Sequence, residues 1–310
     1  MPLDPFASRF LDRLAALNPP SALSLSVAER REALANLLSL SADSAPHVAV
    51  EDRDIPGPGG SLPLRVYTPA ADSHSRLPGL VYFHGGGLVA GSLDTHDGIA
   101  RELAHASGCR LISVGYRLAP EAPFPAALED ACAATAWIAA HTEDFAVDPE
   151  RICVGGDSAG ATLAAVVCQD AAANGLPLAL QFLLCPILDH AGATPSRHAF
   201  AEGYLVDSAT LEHDLKHYLA EAGDVGDPRV SPLRASELRG LPPTCIHTAE
   251  FDPLRDEGRN YAERLGQAGV RTLYRCHLGM IHLFYGMGVV IPYAAAAYRE
   301  MGADIRSLLS

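Results

Sequence analysis

Short apolar runs alternate with helical stretches along most of this 310-residue chain, and that alternation limits the fold more than any other feature. The runs at 79–83, 110–116, 151–155, 179–185, 244–248 and 271–276 read as strands that are apolar on both faces. Helix-like segments lie between them at 94–107, 126–141, 159–173 and 256–266. Strands apolar on both sides need cover above and below, which predicts a doubly wound, mostly parallel sheet flanked by helices. Two earlier runs, at 47–55 and 61–68, are separated only by Pro56-Gly57-Pro58-Gly59-Gly60 and predict an antiparallel hairpin at the start of the sheet. The alanine run at 294–297 suits a C-terminal helix.

A chain of this length accommodates one large α/β domain with a small addition. Two stretches break the alternation and supply that addition. Residues 1–45 carry an amphipathic pattern on Phe6, Phe10, Leu11 and Leu14 and a second one over 27–40. Residues 190–230 carry another around 209–220. Together they are expected to form a helical cap over the carboxyl ends of the strands, with 46–189 and 231–310 as the catalytic core. The alternative is that the N-terminal helices pack on the flank of the sheet.

Composition excludes several classes of function. A net charge of −14 without a basic stripe argues against a nucleic-acid partner. No apolar run reaches the 18 or more residues of a membrane span, and Met1–Phe6 lacks the basic and apolar regions of a secretory signal. The seven cysteines are odd in number and scattered through apolar runs, so free buried thiols in a reducing cytoplasm are expected. Without a CxxC pair, no structural metal is expected.

The chemistry centres on Gly156-Asp157-Ser158-Ala159-Gly160, set between the apolar run 151–155 and the helical stretch 161–173. A serine on a very tight strand-to-helix turn needs neighbours almost without side chains two places before and after it, and this G-x-S-x-G provides them. A glycine-rich turn with an idle serine is one competing reading. A phosphate loop is the other, but it needs a Gly-Lys-Ser/Thr run and there is no lysine. His84-Gly85-Gly86-Gly87 follows the run 80–83 and offers backbone N–H groups for an oxyanion, as does Ala159 after the serine. His84 leads into that loop and is better suited to holding its shape by a backbone hydrogen bond than to acting as a base. With the order serine, acid, histidine, the base is His282, in the loop expected beyond the last strand, and the acid is Asp252. Glu250 and Asp256 are the rival acids; Asp256 fits a helix cap. His247 falls within a strand and His277 at the end of one.

These motifs resemble the hormone-sensitive-lipase family of carboxylesterases, the bacterial group called family IV. The resemblance runs from about His47 to the C-terminus. It rests on His84-Gly85-Gly86-Gly87, Tyr116-Arg117-Leu118-Ala119-Pro120-Glu121 with Phe124-Pro125-Ala126, the Ser158 pentapeptide, Asp252-Pro253-Leu254-Arg255-Asp256-Glu257, and Gly279-Met280-Ile281-His282. It implies an α/β-hydrolase fold with an eight-stranded sheet and a helical cap, no cofactor, and hydrolysis of short- to medium-chain acyl esters. It also implies that Gly86, Gly87 and Ala159 form the oxyanion hole and that Tyr116 buttresses the site, with His84 and Asp157 as further supporting residues. A homodimer fits the family. Leu88, Ala161 and Leu283 depart from its common pattern, and Leu88 and Leu283 are the candidate pocket residues.

The expected reaction is acyl transfer through Ser158, with activity rising through roughly pH 6 to 7 as an unperturbed histidine loses its proton. An amidase or lactonase would use the same triad. Plant gibberellin receptors resemble the family without its base histidine, a reading that His282 disfavours. A lipase for emulsified long-chain fat is disfavoured by the lack of an obvious apolar lid.

Overall fold

The computed structural model describes residues 1–40, 46–69, 76–220 and 223–310. β1 (Ala49–Gly57) and β2 (Gly60–Thr68) form the expected hairpin, with Gly57 paired to Gly60 and Gly60 at φ 122°. β2 then runs antiparallel to β4 (Arg110–Val114). The remaining pairings, through β3 (Leu77–Phe83), β5 (Val147–Asp157), β6 (Leu180–Leu184), β7 (Thr244–Phe251) and β8 (Thr272–Ile281), are all parallel. The eight strands lie in the order β1-β2-β4-β3-β5-β6-β7-β8, the mostly parallel sheet that the alternating pattern predicts.

Successive side chains of a strand point to opposite faces, and the core divides accordingly. Leu80 and Tyr82 of β3 pack with α3 (Asp97–Ser107) and α9 (Tyr293–Leu309). Val81 and Phe83 pack on the other face with α4 (Ala126–Ala140), α5 (Ala159–Asn174) and α8 (Arg255–Gln267). Burial on both faces is why these strands lack the alternation of a half-exposed sheet.

Four helices stand outside this frame: α1 (Pro5–Ala16), α2 (Val27–Leu38), the short α6 (Pro195–Ala199) and α7 (Ser208–Leu219). α2 starts with a reciprocal capping box between Ser26 and Glu29, and α7 starts at Asp207, whose carboxylate accepts from Thr210 N at 2.8 Å. The domain boundary expected at 45/46 abuts residues 41–45, outside the described residues.

Element ends differ from expectation in instructive places. The helix expected from 94 starts at Asp97, because Ser92 and Thr95 exchange side-chain-to-backbone bonds that hold a turn first. The strand expected at 271–276 continues to Ile281, so His277 lies inside β8 and His282 immediately follows it. The strand expected at 110–116 stops at Val114, and the run around 151–155 is the end of a strand that begins at Val147.

Candidate active site

Strand register brings the sequence-predicted residues together. Asp157, the last residue of β5, pairs with Leu184 of β6, and Leu184 pairs with His247 of β7. Further along β7, Phe251 pairs with Ile281 across a register shift in the β7–β8 ladder. Ser158, Asp252 and His282 are the residues that come next on their three strands, so all emerge at one edge.

Ser158 sits at φ 53° and ψ −119°, a conformation rarely adopted by residues with a side chain, with its N–H bonded to Leu184 O at 2.8 Å. The turn closes only because its flanks are glycine. A Cβ on Gly156 would come within 2.6 Å of Phe83 O, and one on Gly160 would collide with Phe83 O and His84 O.

His282 Nε2 lies 3.2 Å from Ser158 Oγ, and His282 Nδ1 lies 2.7 Å from Asp252 Oδ2. An ionised carboxylate only accepts, so Nδ1 carries the proton and Nε2 is free to take the serine's. Asp252 Oδ1 accepts Leu254 N at 2.8 Å, which fixes the carboxylate from behind. All three side chains are buried, with Ser158 the most accessible at 8%. The rival acids are engaged elsewhere. Glu250 binds the N-terminal ammonium and Gly279 N. Asp256 accepts from Ser196 N and Arg255 Nε, and it lies in the first turn of α8 rather than at its cap, which is Leu254. His247 and His277 are bonded to each other inside the sheet at 3.0 Å.

Gly86 and Gly87 take φ values of 117° and 69°, and among the described residues their N–H groups meet no acceptor. Ala159 is the first residue of α5, where a backbone N–H has no partner within its own helix. A buried network behind the loop holds this geometry. Asp157 Oδ1 accepts Gly85 N at 3.0 Å and Tyr82 OH at 2.7 Å, and Oδ2 accepts Tyr285 OH at 3.1 Å. Burial alone would raise the Asp157 pKa, but His96 and the Tyr82 hydrogen bond outweigh it and hold the carboxyl below its usual value. His84 Nδ1 faces Gly85 O at 2.8 Å, while Tyr116 OH donates to His84 O at 2.6 Å and stacks on the ring.

A cavity of about 50 Å³ adjoins Ser158 and His282. Leu283 borders it. Leu88 does not: at φ 63° it belongs to the core cluster that contains Tyr116 and Ala119. Its walls come instead from Leu34 of α2, from Leu211, Leu215 and Tyr218 of α7, and from Ile187 and His190 after β6. Arg30 and Asp214, missing from the sequence reading, face each other here. Arg30 reaches Asp214 through Nε at 3.2 Å and Nη2 at 2.8 Å, tying α2 to α7, and His213 Nδ1 adds a contact at 3.0 Å. Asp214 lies against the Cα of Gly87. No local pattern announces a pair 184 residues apart.

Among the described residues, two groups have the donor types of a metal site. One is Cys185 with Asp252 and His282, the second Cys245 with His247 and Asp304. Existing bonds account for both. Asp252 and His282 are joined to each other, and Asp304 is taken by a two-point ion pair with Arg275 whose positive charge opposes a cation.

The sequence pattern of a family described as alpha/beta hydrolase fold matches residues 80–286. The chain belongs to the α/β-hydrolase family. This hydrolase is 42% identical to the carboxylic ester hydrolase LipN of Mycobacterium tuberculosis, over 85% of this chain and 72% of LipN. It is 40% identical to the ethyl acetate hydrolase of Pseudomonas putida, over 76% and 75% of the two chains. Among solved structures, the ester-hydrolase EH1AB1 from the metagenome of Lake Arreo superposes with a TM-score of 0.95 at 40% identity, covering 98% of each chain. The hydrolase is a carboxylic ester hydrolase of the hormone-sensitive-lipase type. Among the described residues no helix is long and apolar enough to cross a membrane.

Proposed function

We propose that the hydrolase cleaves short-chain acyl esters through an acyl-enzyme on Ser158, with His282 as base and acid and Asp252 as its orienting partner. The observation that carries the reading is the unbroken line from Asp252 Oδ2 through His282 to Ser158 Oγ, at 2.7 and 3.2 Å. In the first step Ser158 Oγ bonds to the ester carbonyl carbon as its proton passes to His282 Nε2. The N–H groups of Gly86, Gly87 and Ala159 hold the oxyanion. The alkoxide leaves with that proton, and water then repeats the attack to release the acid. The residues present complete this cycle without a cofactor.

A short acyl group is supported by the small cavity, about 50 Å³, with Leu34, Leu211 and Leu215 in its lining. We assign the cap to the described residues 1–40, 190–220 and 223–230, with α2 and α7 as the part that closes over Ser158. Medium-chain esters then require those helices to part. α1 acts as a strap, held at the end of β8 by Asp4 N on Gly279 O. The free, mostly buried cysteines support a reducing compartment such as the cytoplasm.

Initial rates on nitrophenyl esters of increasing acyl length, with Ser158→Ala alongside, test the proposal. A fall of at least about a thousandfold in the variant is expected, and a steep decline beyond butyrate. A phosphonate that leaves Ser158 unlabelled would refute it. A matched amide hydrolysed as fast as its ester would move the assignment to an amidase.

A further inference from the structure

His190 borders the Ser158 cavity, yet its Nε2 is buried and meets no hydrogen-bond partner among the described residues. A buried polar atom in this condition is uncommon in a folded protein, because its lost hydration goes uncompensated. His96 Nε2 also lacks a hydrogen bond, but it faces the Asp157 carboxylate at 3.6 Å. Among the described residues no ion pair is formed by His190, although Asp189 acts on it from the adjoining position, and Ile187, Leu215 and Tyr218 share the cavity lining with it.

The segment carrying the ring is held stiffly. Glu257, fully buried, accepts Leu188 N at 2.8 Å and Asp189 N at 2.9 Å, and it is paired with Arg197. Ser231 Oγ accepts His190 N at 2.9 Å and itself donates to Val225 O. Glu257 and Ser231, both distant in sequence, therefore hold the backbone that carries this imidazole at the cavity wall. Burial, with Arg197 adding to it, lowers the His190 pKa to about 4, so the ring is neutral near pH 7 and carries one donor and one acceptor.

We infer that His190 is a polar subsite of the Ser158 pocket, recognising esters that carry a hydroxyl group a few atoms from the scissile carbonyl, on either the acyl or the alcohol side. The inference rests on ester hydrolysis at Ser158. A hydroxyl that reaches the ring supplies the partner the buried nitrogen lacks, whereas a methyl group leaves that nitrogen unpaired.

Two isosteric pairs test it: nitrophenyl β-hydroxybutyrate against nitrophenyl isovalerate, and hydroxyethyl butyrate against propyl butyrate. The wild-type enzyme should favour the hydroxylated member of at least one pair by roughly tenfold in kcat/KM, the size of one well-placed hydrogen bond. His190→Leu should erase that preference, while phosphonate titration still counts one reactive Ser158 per chain and so separates loss of the subsite from loss of the fold. His190→Gln, which keeps a hydrogen-bonding end, should retain most of it. No preference in either pair, or a preference that survives in His190→Leu, overturns the subsite while leaving ester hydrolysis intact. Loss of simple butyrate turnover in the wild-type enzyme would instead defeat the reading on which the inference rests.

Discussion

Gly156→Ala isolates the steric demand of the nucleophile turn. Gly156 does not take a positive φ, so an alanine adopts its backbone without conformational strain, and the whole effect comes from overlap. The new Cβ would stand 2.5 Å from the carbonyl carbon and oxygen of Gly160 and 2.6 Å from Phe83 O. All three atoms are backbone, so no side chain can swing aside. Restoring ordinary contact requires the start of α5 to move from the end of β3 by roughly 0.5–1 Å, at a cost of about 1–3 kcal/mol. At roughly 2 °C per kcal/mol for a chain of this size, Tm should fall by a few degrees. Activity should fall further, because the moving segment carries Ser158 Oγ, 3.2 Å from His282 Nε2, and the Ala159 N–H. A misplacement near 1 Å costs on the order of a hundredfold. The assay is kcat on nitrophenyl acetate beside a thermal melt. Gly266→Ala, a helical glycine with open space around its Cβ position, is the control and should leave kcat unchanged. If Gly156→Ala keeps kcat within threefold of wild type, the reasoning about the turn is wrong.

Arg30→Met leaves the Asp214 carboxylate buried against Gly87 with only His213 beside it, which should cost roughly 3 kcal/mol in urea unfolding. The same unscreened charge next to the proposed oxyanion site should lower kcat on the order of tenfold, and Arg30→Met/Asp214→Leu should recover most of both losses. Buried and half-buried histidines contribute to acid stability: burial lowers the pKa of His84 to about 3, those of His190 and His277 to about 4, and that of His247 well below its usual value. Their folded values lie below the unfolded value of about 6.5, so the unfolded chain binds more protons in that window. The stability they carry is complete above about pH 6.5 and is lost as pH falls toward 4, with a slope of up to about 1.4 kcal/mol per pH unit from each group. Unfolding midpoints that stay level from pH 6.5 to 5 would contradict this.

Residues whose placement depends on neighbours in sequence were legible, and those placed by distant contacts were not. The glycines around Ser158 and the His84 loop announce themselves because a tight turn and close backbone approach each demand absent side chains within a few residues. Asp252 and His282 could be chosen from their order along the chain, but the reason they meet lies in the register of Phe251 with Ile281, which the pattern did not disclose. The end of β8 was misjudged because His277 looks like the close of an apolar run, when its ring is in fact accommodated inside by His247 and Tyr293. Leu88 was assigned to the pocket from its departure from the family's common pattern, whereas it packs among core residues at a positive φ.

The pattern of these misses separates chemistry from selectivity. Apart from Ala159, the first residue of α5, every residue of the proposed reaction stands in the segment just after a strand, where sheet register and turn geometry leave little freedom. The cavity walls come largely from α2, α7 and the segment after β6, which touch one another through single contacts between remote positions, such as Arg30 with Asp214 and His190 N with Ser231 Oγ. A substitution there changes the room and polarity offered to an ester without disturbing the line from Asp252 to Ser158. Substrate preference can therefore drift among relatives that keep the same reaction, and it has to be sought in those wall residues rather than in the motifs that mark the family.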